Sequence, residues 1–92
     1  MNFEWDDAKN AKNIAKHKIS FEIAAHVFDD PDHVIIYDVK HSIDEDRFIA
    51  FGRVGKVLVV VYTERKDAIR IISARLATNA ERSMYYDQDI NY

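Results

Sequence analysis

The chain has no cysteine, one proline and two glycines in 92 residues. Without cysteine there is no disulfide framework, no thiolate nucleophile and no thiolate metal ligand. Scarce proline and glycine argue against low complexity or disorder, and 48% hydrophobic residues suffice for an ordered core. Long apolar runs are also missing. The longest, Val57 to Tyr62, is far too short to span a bilayer. Met1 to Asp7 is acidic where a secretory leader would be basic and then apolar, so a cytoplasmic protein without membrane contact is expected. There is no glycine-rich phosphate loop, no zinc-finger spacing and no serine in a nucleophile elbow. Residues 1–92 are expected to form a single domain, because a second would have too little core.

Net charge is only −3, yet its distribution is uneven. Residues 1–46 carry five Lys and eleven Asp or Glu, whereas residues 47–82 carry eight Lys or Arg and three acids. Either the two halves pair with each other across the fold, or the basic half serves an anionic partner.

Hydrophobic spacing yields an α+β fold: two N-terminal helices, a four-stranded, mainly antiparallel sheet and a C-terminal helix. Asp6 or Asp7 caps a helix running to about Lys18, with Ala8, Ala11, Ile14 and Ala15 as a thin apolar stripe. Ser20 caps a second helix from Phe21 to Phe28, stopped by Asp29-Asp30-Pro31. Strands are expected at Val34–Tyr37, Arg47–Arg53, Val57–Thr63 and Ala68–Arg75. The third is apolar on both faces and should be central and covered on both sides. Short connections make the four a meander. Thr78 caps a last helix to about Asp89, and Thr78 with Glu81 fits a capping box.

His17, His26, His33 and His41 are too scattered for a local metal cluster, so neither a metal nor another cofactor is expected. Arginine carries the remaining chemistry. Strand alternation places Ile69, Ile71, Ser73 and Arg75 on one face of the last strand, with Arg75 at its end. Arg47 opens the second strand and Arg65 sits in the turn after the third. Converging guanidiniums would cradle a phosphate, although arginine on a β-surface is also ordinary and Arg65 has Glu64 and Asp67 as local partners. His41 and His17 are the candidate proton carriers, since unperturbed imidazole titrates near neutrality. His17, beside Lys16 and Lys18, equally suits a helix C-terminus. His26 reads as packing and His33 as a loop residue. Tyr85 is a candidate for stacking on a base, against the commoner role of packing on the sheet.

Phe3-Glu4-Trp5-Asp6, Lys9, Asn13, Lys16-His17, Ser20-Phe21, Val27-Phe28 and Asp30-Pro31 together resemble the opening of the BrnT toxins. Asp38, His41-Ser42, Glu45, Arg47-Phe48, Gly52, Thr63-Glu64-Arg65, Arg70 to Arg75, Glu81-Arg82 and Tyr85 continue the pattern in order. Ile72-Ser73-Ala74-Arg75 is the most specific block. The resemblance implies a RelE-like fold and a type II toxin–antitoxin ribonuclease. It also implies a ribbon-helix-helix antitoxin, BrnA, through which DNA is touched only indirectly, and a 2:2 heterotetramer. The chemistry it implies is metal-free: a 2′-hydroxyl attacks the adjacent phosphorus. Within it, Arg65 and Arg75 are expected to hold charge with Arg47 in support, His41 to move protons, and Glu45 or Glu64 to orient or substitute. Lys16, His17 and Tyr85 are expected to touch RNA. Lys18 departs from the family, which usually has glycine there; a positive φ would make lysine costly. The rival expectation is a non-catalytic RNA- or protein-binding module of a repressor complex.

Overall fold

The computed structural model describes residues 1–87. Its elements are β1 (Asn2–Glu4), α1 (Asp7–His17), α2 (Phe21–Ala24), a 3-10 helix (Ala25–Asp29), β2 (Val34–Tyr37), β3 (Arg47–Val54), β4 (Lys56–Arg65), β5 (Ala68–Leu76) and α3 (Asn79–Asp87). The expected end of the last helix near Asp89 lies outside the described residues. The strands form one mixed sheet in the order β1-β5-β4-β3-β2. The expected four-stranded meander is thus extended by β1, which pairs in parallel with β5 through Phe3 opposite Ile69. Three residues carry too little periodicity to announce a strand. Phe3 is held by packing on Phe28, ring centroids 5.6 Å apart.

The helical segment between β1 and β2 carries the chain from one edge of the sheet to the other, so it covers a single face. Ile19, Phe21, Ala24 and Val27 pack there on Ala50, Leu58, Val60, Tyr62, Ile71 and Ala74. Phe51, Val57, Val59 and Tyr85 make a smaller cluster on the opposite face. β4 is central and supplies both clusters, as its two-sided apolar pattern requires. Gly52 allows the 3-10 helix to lie directly on β3. A Cβ there would fall 2.5 Å from Val27 Cγ1 and 2.8 Å from its carbonyl oxygen.

The caps follow the sequence. The Asp6 carboxylate accepts from Lys9 N–H at 3.0 Å, and the Ser20 hydroxyl from Ile23 N–H at 3.1 Å. Thr78 and Glu81 exchange a reciprocal pair of bonds at 2.8 and 3.2 Å, a capping box. At the end of α1, Lys18 has φ +61° and its N–H donates to the Ile14 carbonyl at 2.9 Å. A lysine here bears the left-handed penalty of roughly 1 kcal/mol that glycine avoids. Lys18→Gly is therefore expected to raise the melting midpoint by about 4–8 °C. An unchanged or lowered midpoint in a thermal melt would contradict this.

Candidate active site

Alternation fails in the middle of β5, and the failure builds the site. Val61 pairs with Ser73 while its neighbour Tyr62 pairs with Ile71, so Ile72 is the extra residue of a bulge. Ile71 and Ala74 consequently both face the helices and join the main core. The expectation that Ile71 shares a face with Ser73 and Arg75 is corrected: one extra residue turns the strand over between them. Ser73 and Arg75 instead look onto the face left largely open by the helices.

A cavity of about 320 Å³ lies on that face, lined by Asp38, His41, Arg47, Ile49, Val61, Ile72, Ser73 and Arg75. Ile49 and Val61 pair across β3 and β4 and form its apolar floor. His41 enters from the loop between β2 and β3. Its Nδ1 lies 3.0 and 3.2 Å from the two oxygens of the Asp38 carboxylate. The Asp38 side chain is only 12% exposed, so the imidazole is held against a largely covered anion. The loop itself is pinned by Ser42, whose hydroxyl donates to the Asp38 carbonyl at 2.6 Å and accepts from Arg47 N–H at 2.8 Å. Tyr37 adds a bond to Asp46 at 2.8 Å. A loop so stapled presents His41 and Arg47 as one unit.

Arg75 approaches from β5. Its Nη1 and Nη2 meet the two Glu81 oxygens at 2.7 and 2.9 Å, and Nη1 also reaches the Leu76 carbonyl at 3.2 Å. Guanidinium has five N–H donors, so this fork leaves Nε and one Nη2 hydrogen for a ligand. Hydrogen bonding to Arg75 drives the Glu81 carboxyl down to about 2, against the opposing effect of its burial. The same bond raises the Arg75 pKa. Glu81 is thus a fixed anion that orients Arg75 while capping α3.

Arg65 and Glu45 form a second forked pair at 3.1 and 3.0 Å. That bond lowers the Glu45 pKa first, with Arg47 and Arg70 adding through charge. The pair adjoins the site without entering the cavity that holds His41 and Arg75. Glu45 instead lines a neighbouring hollow of about 250 Å³ with His41, Ile43, Asp44 and Arg47. Glu64 alternates with Thr63 and Arg65 and so projects toward the opposite side, where its charge raises the Tyr62 hydroxyl, behind the larger effect of burial, to about 12. Lys16 and His17 sit on α1 in a third hollow, with Ile72 and Ser73. Tyr85 is 4% exposed and its hydroxyl donates to Asp30, which leaves the ring no open face for a base. Two of the long-range ion pairs, Glu4 with Arg70 and Glu45 with Arg65, join the acidic half to the basic half, while Arg47 has no ion pair among the described residues. Among the described residues no three His, Asp or Glu side chains group as metal ligands, and no helix is long and apolar enough to cross a membrane.

The family model described as "Ribonuclease toxin, BrnT, of type II toxin-antitoxin system" matches residues 5–81. The chain belongs to the BrnT family. Comparison with curated proteins gave no significant match. A BrnT chain is a ribonuclease toxin whose substrate is RNA and whose partner is an antitoxin. The matched span contains every residue of the cavity and also Glu81.

Three contributors to the site escaped assignment from the BrnT sequence. Asp38 was visible as the acid three residues before His41, a spacing that allows a turn to bring the two together. Glu81 was visible as a capping residue, and its second role with Arg75 depends on where β5 ends against α3. Ile72 had no signal, because a bulge has no residue signature beyond its broken alternation.

Proposed function

We propose that this BrnT chain cleaves single-stranded RNA without a metal ion, at the cavity between the β2–β3 loop and the end of β5. The observation that carries the reading is the Asp38-held His41 imidazole in one cavity with Arg47 and Arg75. Arg47 and the free hydrogens of Arg75 bind the non-bridging oxygens of the scissile phosphate and the charge that builds on them. The 2′-hydroxyl attacks phosphorus, the bond to the 5′-oxygen breaks, and the products are a 2′,3′-cyclic phosphate and a 5′-hydroxyl. His41, oriented through Nδ1 by Asp38, uses Nε2 to take or supply the proton. Ser73, two residues before Arg75 on β5, lines the same cavity and bonds the ribose or phosphate. Glu45, held by Arg65, supports Arg47 from the neighbouring hollow. Neutralisation falls to a BrnA-like ribbon-helix-helix antitoxin in a cytoplasmic 2:2 complex that covers the arginine-bearing face.

The test is incubation of the purified chain with single-stranded RNA in excess EDTA, with mass spectrometry of the new ends. Cyclic phosphate and 5′-hydroxyl termini are expected at an undiminished rate. Activity abolished by EDTA and restored by a divalent ion would refute the metal-free reading. Tight RNA binding without any cleavage would make the chain a binding module instead.

A further inference from the structure

The three hollows share walls. His41 and Arg47 line both the first and the second, and Ile72 and Ser73 line both the first and the third. Together they make one groove that runs from the β2–β3 loop, across the strands, over the β5 bulge and onto α1. Its far end holds about 240 Å³ and is lined by Lys9, Lys12, Asn13, Lys16, His17, Ile72 and Ser73, with no carboxylate among them. This end exists because β1 is short. The pairing of β1 with β5 ends at Glu4 opposite Arg70, so beyond that point the neighbour of β5 is a helix. Lys9, Lys12 and Lys16 recur at helical spacing on one face of α1, over about 10 Å of its axis. All three are exposed, and among the described residues Lys12 and Lys16 have no ion pair. Lys9 lies in the field of Asp6.

We propose that the α1 lysines are a backbone track for the same RNA strand whose phosphate is cleaved beside His41. This rests on the reading of the cavity as a ribonuclease site and extends it: the substrate is a single strand of several nucleotides, lying across the strands of the sheet. The groove's composition favours that strand over a duplex. Ile49, Val61 and Ile72 offer an apolar floor for unstacked bases, between basic walls at His41, Arg47 and Arg75 on one side and Lys12 and Lys16 on the other. An A-form duplex keeps its bases stacked inside and would leave that floor uncovered. The bulge at Ile72 then has two uses: it turns Arg75 toward the scissile phosphate and opens the passage from the cavity to α1.

The test is the salt dependence of binding to an uncleavable 2′-O-methyl single-stranded oligonucleotide. Each phosphate contact on a single strand contributes about 0.7 to the slope of log K against log salt. Lys12→Gln/Lys16→Gln is expected to reduce the slope by about 1.4 and weaken binding about tenfold or more at low salt. A control with the same charge change away from the groove, Lys56→Gln/Lys66→Asn, is expected to keep the wild-type slope. An unchanged slope in the α1 variant, or an equal loss in the control, overturns the track. So does a duplex of the same length bound as tightly as the single strand. Cleavage of unmodified RNA, measured in parallel, separates the two readings: a lost slope without any wild-type cleavage leaves the track and removes the chemistry, and cleavage with an unchanged slope does the reverse.

Discussion

Arg75→Ala is expected to slow RNA cleavage by about a hundredfold or more, the loss typical of removing one preorganised charge donor. Arg75 is the guanidinium whose orientation is most fully determined, by the two Glu81 oxygens and the Leu76 carbonyl. It therefore meets developing charge without having to reorganise. Stability should change little. The Arg75 side chain is 42% exposed, and half-exposed ion pairs are worth under about 1 kcal/mol. Glu81 moreover keeps its capping bonds to Thr78. The pH response supplies a further check. The Glu81 carboxyl is depressed in the folded chain to about 2, so its contribution is complete above its ordinary range and lost as pH falls through that value. In Arg75→Ala the depression is largely relieved, so stability should fall less steeply between about pH 5 and pH 2 than in the parent. Arg65→Ala is expected to cost less, about tenfold in rate, because Arg65 stands outside the cavity and acts through Glu45 and Arg47. Single-turnover rates on one RNA substrate rank the two. Near-native cleavage by Arg75→Ala, with an unchanged melt, would place the phosphate elsewhere.

The legible part of this fold was the part with strong periodicity or cap chemistry. β4 identified itself as central because no polar residue interrupts Val57 to Tyr62. Asp6, Ser20 and Thr78 announced their helices because an unpaired helix N-terminus needs an acceptor. The parallel strand β1 was not legible, since its three residues acquire their conformation from a pairing more than sixty positions away. The site was legible in its ingredients and not in its assembly. Arg75, Arg47 and His41 were named from residue chemistry and family resemblance, but alternation put Ile71 on the same face as Ser73 and Arg75. A single bulge residue reversed that, and only the pairing of Val61 with Ser73 reveals it. Glu64 and Glu45 were equivalent in sequence. The pleat sends Glu64 away, while the folded loop returns Glu45 to Arg65. Tyr85 likewise could stack on RNA or pack, and the bond to Asp30 together with the Phe51–Val59 cluster decided for packing.

Asn13→Ala is expected to be the most destabilising single change on α1, at about 3 kcal/mol. Beyond Arg70 the outer edge of β5 has no strand beside it, yet Ala74 there is fully buried. Its peptide groups still need partners. The Asn13 carboxamide provides them: Oδ1 accepts from Ala74 N–H at 3.1 Å and Nδ2 donates to the Ala74 carbonyl at 2.8 Å, the two bonds a neighbouring strand would have made. The remaining Nδ2 hydrogen goes to the Ile19 carbonyl at 2.9 Å and ties down the turn after α1. Asn13 is 8% exposed, so water does not readily replace it. Alanine would leave one N–H and two carbonyls wanting, and one unmet buried group alone costs about 1–3 kcal/mol. For a domain of this length the predicted loss lowers the melting midpoint by roughly 12–24 °C. Asn13→Asp tests the mechanism more sharply. An ionised carboxylate keeps the acceptor but has no donors and faces two carbonyl oxygens, so it should be at least as harmful at neutral pH and partly recover in acid, when one oxygen carries a proton. Asn10→Ala is the contrast. Asn10 makes a single bond to Phe21 N–H at 2.9 Å in a half-buried setting, and about 1 kcal/mol is expected. Because Asn13 also lines the α1 end of the groove next to Ile72 and Ser73, its loss should loosen the bulge and weaken RNA binding below the melt. A midpoint shift of only a few degrees for Asn13→Ala would mean that water enters and bonds the open edge of β5 in its place.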